Sequence, residues 1–154
     1  MPVELDAIDR RILAALQRNG RIQNIELAQE VGLSPSPCLR RVRILEEAGV
    51  VRRYVAVLDQ SKLGSSHTFF ARIWLRGQDD ETIEHFAAAM VGLPQVLECY
   101  LMLGDCDALL RVVAQDIEDY RRFQGRHLTR ANGIQSVKTD VPSTIVKQTL
   151  ELPL

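Results

Sequence analysis

The sequence predicts an α+β protein in two parts: a tri-helical helix-turn-helix with a wing, then a βαββαβ unit of ferredoxin-like plan. Three observations carry that expectation. Apolar residues recur at helical spacing, punctuated by caps and glycines, over residues 5–49. A valine-rich alternation then replaces the helical period. From residue 67 onward the order strand, helix, strand is met twice.

In LDAIDRRILAALQRNG, Leu5, Ile8, Ile12, Leu13 and Leu16 share one helical face. Asp6 is placed to cap this helix and Asn19-Gly20 to end it. NIELAQEVG fits a shorter helix with Leu27, Ala28 and Val31 inward, closed by Gly32 in the left-handed conformation. Ser34-Pro35 then opens a third helix. The serine hydroxyl is expected to cap free N–H groups, and proline at the first helical position removes a donor that has no partner there. Gly49 ends the helix.

On a wheel of about 100° per residue, Cys38, Leu39, Val42 and Leu45 point toward the first two helices. Ser36, Arg40 and Arg43 lie opposite, with Arg41 on a flank and Glu47 further along the outward stripe. The second and third helices, joined by a short glycine-containing turn, make a helix-turn-helix. The second helix of such a pair enters the major groove, where its N-terminal residues touch base edges. A guanidinium fork matches phosphate oxygens and the O6/N7 edge of guanine. Any single arginine on an amphipathic helix is more often just solvated. It is the combination of turn, Ser-Pro opening and aligned arginines that favours double-stranded DNA as the partner.

VVRRYVAVLD reads as a strand, with Arg52 and Arg53 at its start, placed as a wing to touch backbone phosphates. LDQSKLGSS reads as a turn and linker loosened by Gly64, Ser65 and Ser66. The domains are therefore drawn as residues 1–58, a linker over 59–66, and residues 67–154.

In the second part HTFFARIWLR is a strand, and DDETIEHFAAAM a helix with Ile83, Phe86, Ala87 and Met90 inward. VLECYLML is the second strand; after the GDCD turn come the strand ALLRVVA and the helix DIEDYRRFQGRHL. IQSVKTDVPSTIVKQ supplies a last strand or pair of strands, and Asp79 or Asp80 and Asp116 are the helix caps. This order predicts an antiparallel four-stranded sheet with helices on one face. Phe70 and Trp74 alternate with Arg72 and Arg76 in the first strand's region, so the uncovered face carries more apolar surface than one helical layer hides. A homo-oligomer is expected.

Several function classes fall away. A net charge of −1 argues against a strongly basic nucleic-acid binder, yet residues 1–64 hold ten Lys and Arg against eight Asp and Glu, and residues 65–154 hold nine against twelve. Local charge governs association when the Debye length is about 8 Å. With 46% hydrophobic residues and no apolar run near the roughly 18 of a membrane span, a cytoplasmic globular protein without a membrane partner is expected. The N-terminus lacks the order of a secretory signal. Cys38, Cys99 and Cys106 have no zinc-ligand spacing, so no metal site is expected. His67, His85 and His127 are scattered, His85 reads as a surface histidine, and no hydrolase or phosphate-loop spacing occurs. No catalytic residue or cofactor is implied. Asp105 and Asp107 flank a tight turn, where Gly and Asp are favoured by turn chemistry alone. The same carboxylates also suit the ammonium group of a small amino acid.

Taken together, LDAIDRRIL, NGRIQNIELAQEVGLSPSPCLRRVRILEEAGVV, RRYVAVLDQSKLG, GDCDALLRV and the terminal TLELPL resemble the feast/famine, or Lrp/AsnC, family of transcription regulators along nearly the whole chain. The resemblance implies a winged helix-turn-helix joined to a ligand-sensing unit, in a homodimer that assembles further to an octamer of four dimers. It implies DNA contacts by Ser34, Ser36, Arg40, Arg41 and Arg43, joined by Arg52 of the wing. It implies an amino-acid effector beside Gly104, Asp105, Cys106 and Asp107, with Ser136 and Thr139 from the last strand. Cys106 is a departure: the family commonly places an aromatic residue there, so a smaller side chain changes the pocket floor. A thiol at this place also admits a redox role, without a basic neighbour in sequence to activate it. The expected function is a sequence-specific DNA-binding regulator whose assembly or DNA affinity responds to a small effector. The rival is a DNA-wrapping architectural protein that needs no effector; an enzyme on the βαββαβ half lacks any acid/base pair.

Overall fold

Capping chemistry fixes the start of the first helix in the computed structural model, which describes residues 3–64 and 67–154. Helix α1 (Ala7–Arg18) begins at Asp6, whose carboxylate accepts from the N–H groups of Ile8 and Asp9 at 2.8 Å. The Asp9 side chain accepts from Asp6 N–H in return, completing a capping box. Helix α2 (Asn24–Val31) closes on Gly32 with φ +74°, a backbone conformation that only glycine adopts without strain. Helix α3 (Pro35–Glu47) starts after Ser34, with Pro35 at its first position.

The chain divides into two compact units. The first runs to Val57 and also takes in Lys147–Leu154; the second is Leu58–Val146. In the first, Ile12, Leu13, Leu27, Ala28, Val31, Cys38 and Leu45 form the buried core of the three helices. Leu39, expected inward, is instead 40% exposed. At about 100° from Cys38 on the wheel it clears the edge of the buried arc.

The strand expected after the third helix does not form, and the last strand takes the simpler of its two expected forms. Residues 52–59 form no helix and belong to no ladder among the described residues, and β structure needs a hydrogen-bonded partner as well as an alternating pattern. Of the strand or pair of strands expected from IQSVKTDVPSTIVKQ, one forms, Ile134–Asp140, after which residues 141–154 run without a ladder. The linker is a short 3₁₀ turn, Gln60–Leu63, capped by Asp59 and followed by Gly64 with φ +73°; Ser65 and Ser66 lie outside the described residues.

The terminal eight residues were expected within the second part and pack with the first unit. The Gln17 side-chain amide donates to the Leu152 carbonyl at 3.0 Å and accepts from the Leu152 N–H at 2.7 Å. Leu152 and Leu154 help line an apolar cleft of about 280 Å³ with Leu13, Leu16, Val51 and Tyr54.

The second unit has the expected order. Strands β1 (His67–Leu75), β2 (Val96–Leu101), β3 (Ala108–Ala114) and β4 (Ile134–Asp140) form one antiparallel sheet in the order β2-β3-β1-β4. Helices α4 (Asp80–Val91) and α5 (Ile117–His127) start at the capping carboxylates of Asp79 and Asp116. Alternate residues of β1 (Phe69, Ala71, Ile73, Leu75) and of β3 (Ala108, Leu110, Val112, Ala114) are buried in one core with Phe86 and Met90 of α4 and Tyr120 and Phe123 of α5. Phe69 stacks on Tyr120 with ring centroids 4.2 Å apart.

The other set of alternate residues makes the second face. In register, Phe70 lies opposite Arg111, Arg72 opposite Leu109, and Tyr100 opposite Leu109 on its other side. Ion pairs cross this face, Arg72 to Asp140 at 2.9 Å and Arg111 to Glu98 at 2.9 Å.

Candidate nucleic-acid interface and effector turn

Helix α3 separates its side chains as an amphipathic helix must. Cys38 and Leu45 are buried and Val42 packs against them, while Ser36, Arg40, Arg43 and Glu47 are exposed. Arg40 and Arg43 form no ion pair or side-chain hydrogen bond among the described residues. Their guanidinium groups are thus available for an anionic or acceptor-rich partner. Ser34 departs from expectation, since its hydroxyl makes no capping hydrogen bond. The Asn24 side chain instead donates to the Pro35 carbonyl at 2.8 Å, tying α2 to the first turn of α3. The Ser34 hydroxyl therefore sits uncommitted at the end of the helix where N–H groups lack intrahelical acceptors.

Arg41 does not share this freedom. Its guanidinium reaches Asp6 and Asp9 at 2.7 Å each, clamping α3 to the start of α1. Facing two carboxylates, it is engaged as an inter-helix strut, unlike Arg40 and Arg43. The Asp9 N–H, chiefly, holds the Asp6 carboxyl below its ordinary 3.8, and Arg41 adds to the effect. A depressed carboxyl contributes stability that is present above its unfolded-state pKa and lost as pH falls through the lower folded value. Arg41→Ala is therefore expected to destabilise the first unit near neutral pH, with the difference from the unsubstituted protein vanishing in strong acid; urea melts across that range measure it. Arg52, on the extended segment after α3, is exposed.

At the turn before β3, geometry sorts the candidates. Asp107 is anchored: its carboxylate accepts from Leu75 N–H at 2.7 Å and from the Gln78 amide at 3.2 Å, and its own N–H donates to the Ile73 carbonyl. The Asp105 carbonyl accepts from the indole N–H of Trp74 at 2.8 Å. The Asp105 side chain makes no hydrogen bond among the described residues, and a Cβ on Gly104 would meet nothing within 4 Å. The turn is thus held from beneath by Asp107 and open above at Gly104 and Asp105. Cys106, within the turn, is buried. Asp107→Ala is expected to leave the Leu75 N–H without an acceptor and to destabilise the second unit by about 1–3 kcal/mol in thermal melts.

Ser136 and Thr139 do not converge. Residues three apart on a strand face opposite ways. Ser136 is exposed and pairs in register with Trp74. Thr139 points to the helical layer, where its hydroxyl meets that of Tyr120 at 2.6 Å. The two effector candidates of this strand therefore lie on opposite faces of the sheet. Trp74, not singled out as a site candidate from the sequence, also meets this turn. Its ring is overlaid by Lys138 Nζ at 5.3 Å from the centroid, while its indole N–H reaches the turn. Its outward place in the β1 alternation was the available signal. His85 bonds the Ala131 carbonyl at 2.8 Å and so links α4 to the turn before β4. No group of three His, Cys, Asp or Glu residues among the described residues is placed to hold a metal ion. No helix among them is long and apolar enough to cross a membrane.

Comparison with known proteins covers both units. A family model described as winged helix-turn-helix DNA-binding matches residues 5–52, and one described as Lrp/AsnC ligand binding domain matches residues 68–152. The sequence is 42% identical over 152 residues to the leucine-responsive regulatory protein of Rhizobium meliloti strain 1021, covering 99% of this chain and 97% of that protein. It is 42% identical over 149 residues to the leucine-responsive regulatory protein of Escherichia coli K12, covering 97% and 91%. Among solved structures, the Neisseria meningitidis transcriptional regulator NMB0573 in complex with L-Met superposes with a TM-score of 0.93 at 37% identity, over 97% of each chain. An AsnC family transcriptional regulator from Agrobacterium tumefaciens does so with a TM-score of 0.92 at 39% identity, again over 97% of each.

Proposed function

Because this chain belongs to the Lrp/AsnC family of DNA-binding transcription regulators, we propose that it binds particular duplex sequences through α3 and that a small amino acid modulates its DNA affinity or assembly. The carrying observation is the pair Arg40 and Arg43, exposed and unpaired on the open face of α3. Ser34, Ser36 and Arg52 join them as contacts to the phosphate backbone or base edges. Phosphate neutralisation makes such binding salt-sensitive, with log K falling by about 0.9 per log salt for each contact.

The effector reading rests on the open turn. An α-amino acid offers an ammonium group to the free Asp105 carboxylate, with Gly104 leaving room for close approach and Ser136 nearby on the Trp74 side of the sheet. The Neisseria protein of the same fold was solved with L-Met, which supports an amino acid as the class of ligand. Linkage sets the mechanism: a ligand shifts an assembly or DNA-binding equilibrium only by its differential affinity for the two states. The face of the sheet bearing Phe70, Trp74 and Tyr100 suits a second copy of this chain, giving a dimer that assembles further, to an octamer by analogy with the family.

A thermal-shift panel of the common amino acids, L-Leu and L-Met included, tests the effector reading. A true ligand at a hundred times its Kd stabilises by about 2.7 kcal/mol, and Asp105→Ala should remove that response. No shift with any amino acid contradicts an amino-acid effector. A footprint of discrete protected sites supports sequence-specific regulation; continuous protection at equal affinity supports the DNA-wrapping role instead.

A further inference from the structure

We propose that Leu39 is a specificity-determining residue that recognises the C5-methyl group of a thymine in the major groove. The proposal rests on the reading of α3 as the groove-entering helix and adds a residue to which no base contact was assigned. Leu39 is 40% exposed and lies outside the apolar residues packed on the helical core. An exposed leucine is ordinary in itself. Its place is what matters.

Residues three and four apart on a helix are surface neighbours, so Leu39 stands beside Ser36 on one side and Arg43 on the other. The row Ser36, Leu39, Arg40 and Arg43 thus presents one apolar group among three polar ones, all exposed. Ile44 is also exposed, at 52%, but it sits on the opposite flank and further from the N-terminal end.

Base edges in the major groove carry hydrogen-bond donors and acceptors, and only thymine adds a methyl group. The arginines have the groups to read guanine. Leu39 has none for any donor or acceptor, so its complement is that methyl. Helical rise sets where the thymine lies. Four residues advance about 6 Å, against about 3.4 Å per base along a strand, which puts the thymine within about two base pairs of the base met by Arg43.

The test uses the full chain and a duplex site selected by it from a random pool. Each thymine of that site is replaced in turn by deoxyuridine, which removes one methyl and leaves base pairing intact. The unsubstituted protein should bind about fourfold more weakly at one thymine, the loss expected for one methyl-sized group. Leu39→Ala should show no penalty at that same position, while Leu39→Met, still apolar, should keep part of it. Leu39 lies outside the buried core, and a cooperative melt of Leu39→Ala confirms that the variant is folded. Equal deoxyuridine penalties in both proteins at every position, or no penalty anywhere, overturn the assignment of Leu39 alone. A pool that yields no preferred sequence overturns sequence-specific binding itself, and this proposal with it.

Discussion

Replacing Arg40 and Arg43 together by alanine is expected to weaken binding to a preferred duplex by on the order of a hundredfold, since each guanidinium–base contact is worth about 1–3 kcal/mol. Neither side chain holds the fold together: both are exposed, and neither has an ion-pair partner among the described residues. The double variant should therefore melt like the unsubstituted protein. Fluorescence anisotropy at one fixed salt concentration measures the loss. Preferred and random duplexes should be affected unequally, because base contacts carry the discrimination while phosphate contacts act on any sequence. Arg41→Ala provides the internal contrast. Its partners are Asp6 and Asp9 of the same unit, so its effect should appear in stability and its pH dependence.

Phe69→Ala is expected to destabilise the second unit by about 3–5 kcal/mol, the range for a large aromatic side chain removed from a core. Phe69 is 1% exposed and stacks on Tyr120, so the substitution leaves a void and removes a ring contact. The cores of the two units share no residue. Hydrogen exchange should accordingly quicken across β1 and β3 and stay slow at Ile12 and Val31. Because β1 also carries Trp74, whose indole reaches the Asp105 carbonyl, any thermal response to an amino acid should fall as well.

Local chemistry was legible in the sequence where it depends on near neighbours. The Asp6 and Asp116 caps, a cap at Asp79 or Asp80 (it is Asp79), the left-handed Gly32 and the strand-helix alternation all involve residues a few positions apart. The outward stripe of Ser36, Arg40 and Arg43 was legible for the same reason, since helical period alone sets it. What escaped depends on distant residues. Arg41 pairs with carboxylates 32 and 35 positions earlier, and Gln17 holds Leu152 from 135 positions away. The alternating segment after α3 has the pattern of a strand but joins no ladder among the described residues. Ser34 stands where a cap belongs but leaves its hydroxyl unbonded. The opposite facing of Ser136 and Thr139 is legible too, because an odd spacing on a strand places two residues on opposite faces.

Methylation interference on a selected duplex tests the groove-reading role of α3 most directly. Methyl groups at guanine N7 stand in the major groove, and methyl groups at adenine N3 stand in the minor groove. Guanine N7 methylation at discrete positions should block binding, and that block should fade in the Arg40→Ala or Arg43→Ala protein. Interference confined to adenine N3, or guanine interference unchanged by both substitutions, would contradict the insertion of α3 into the major groove.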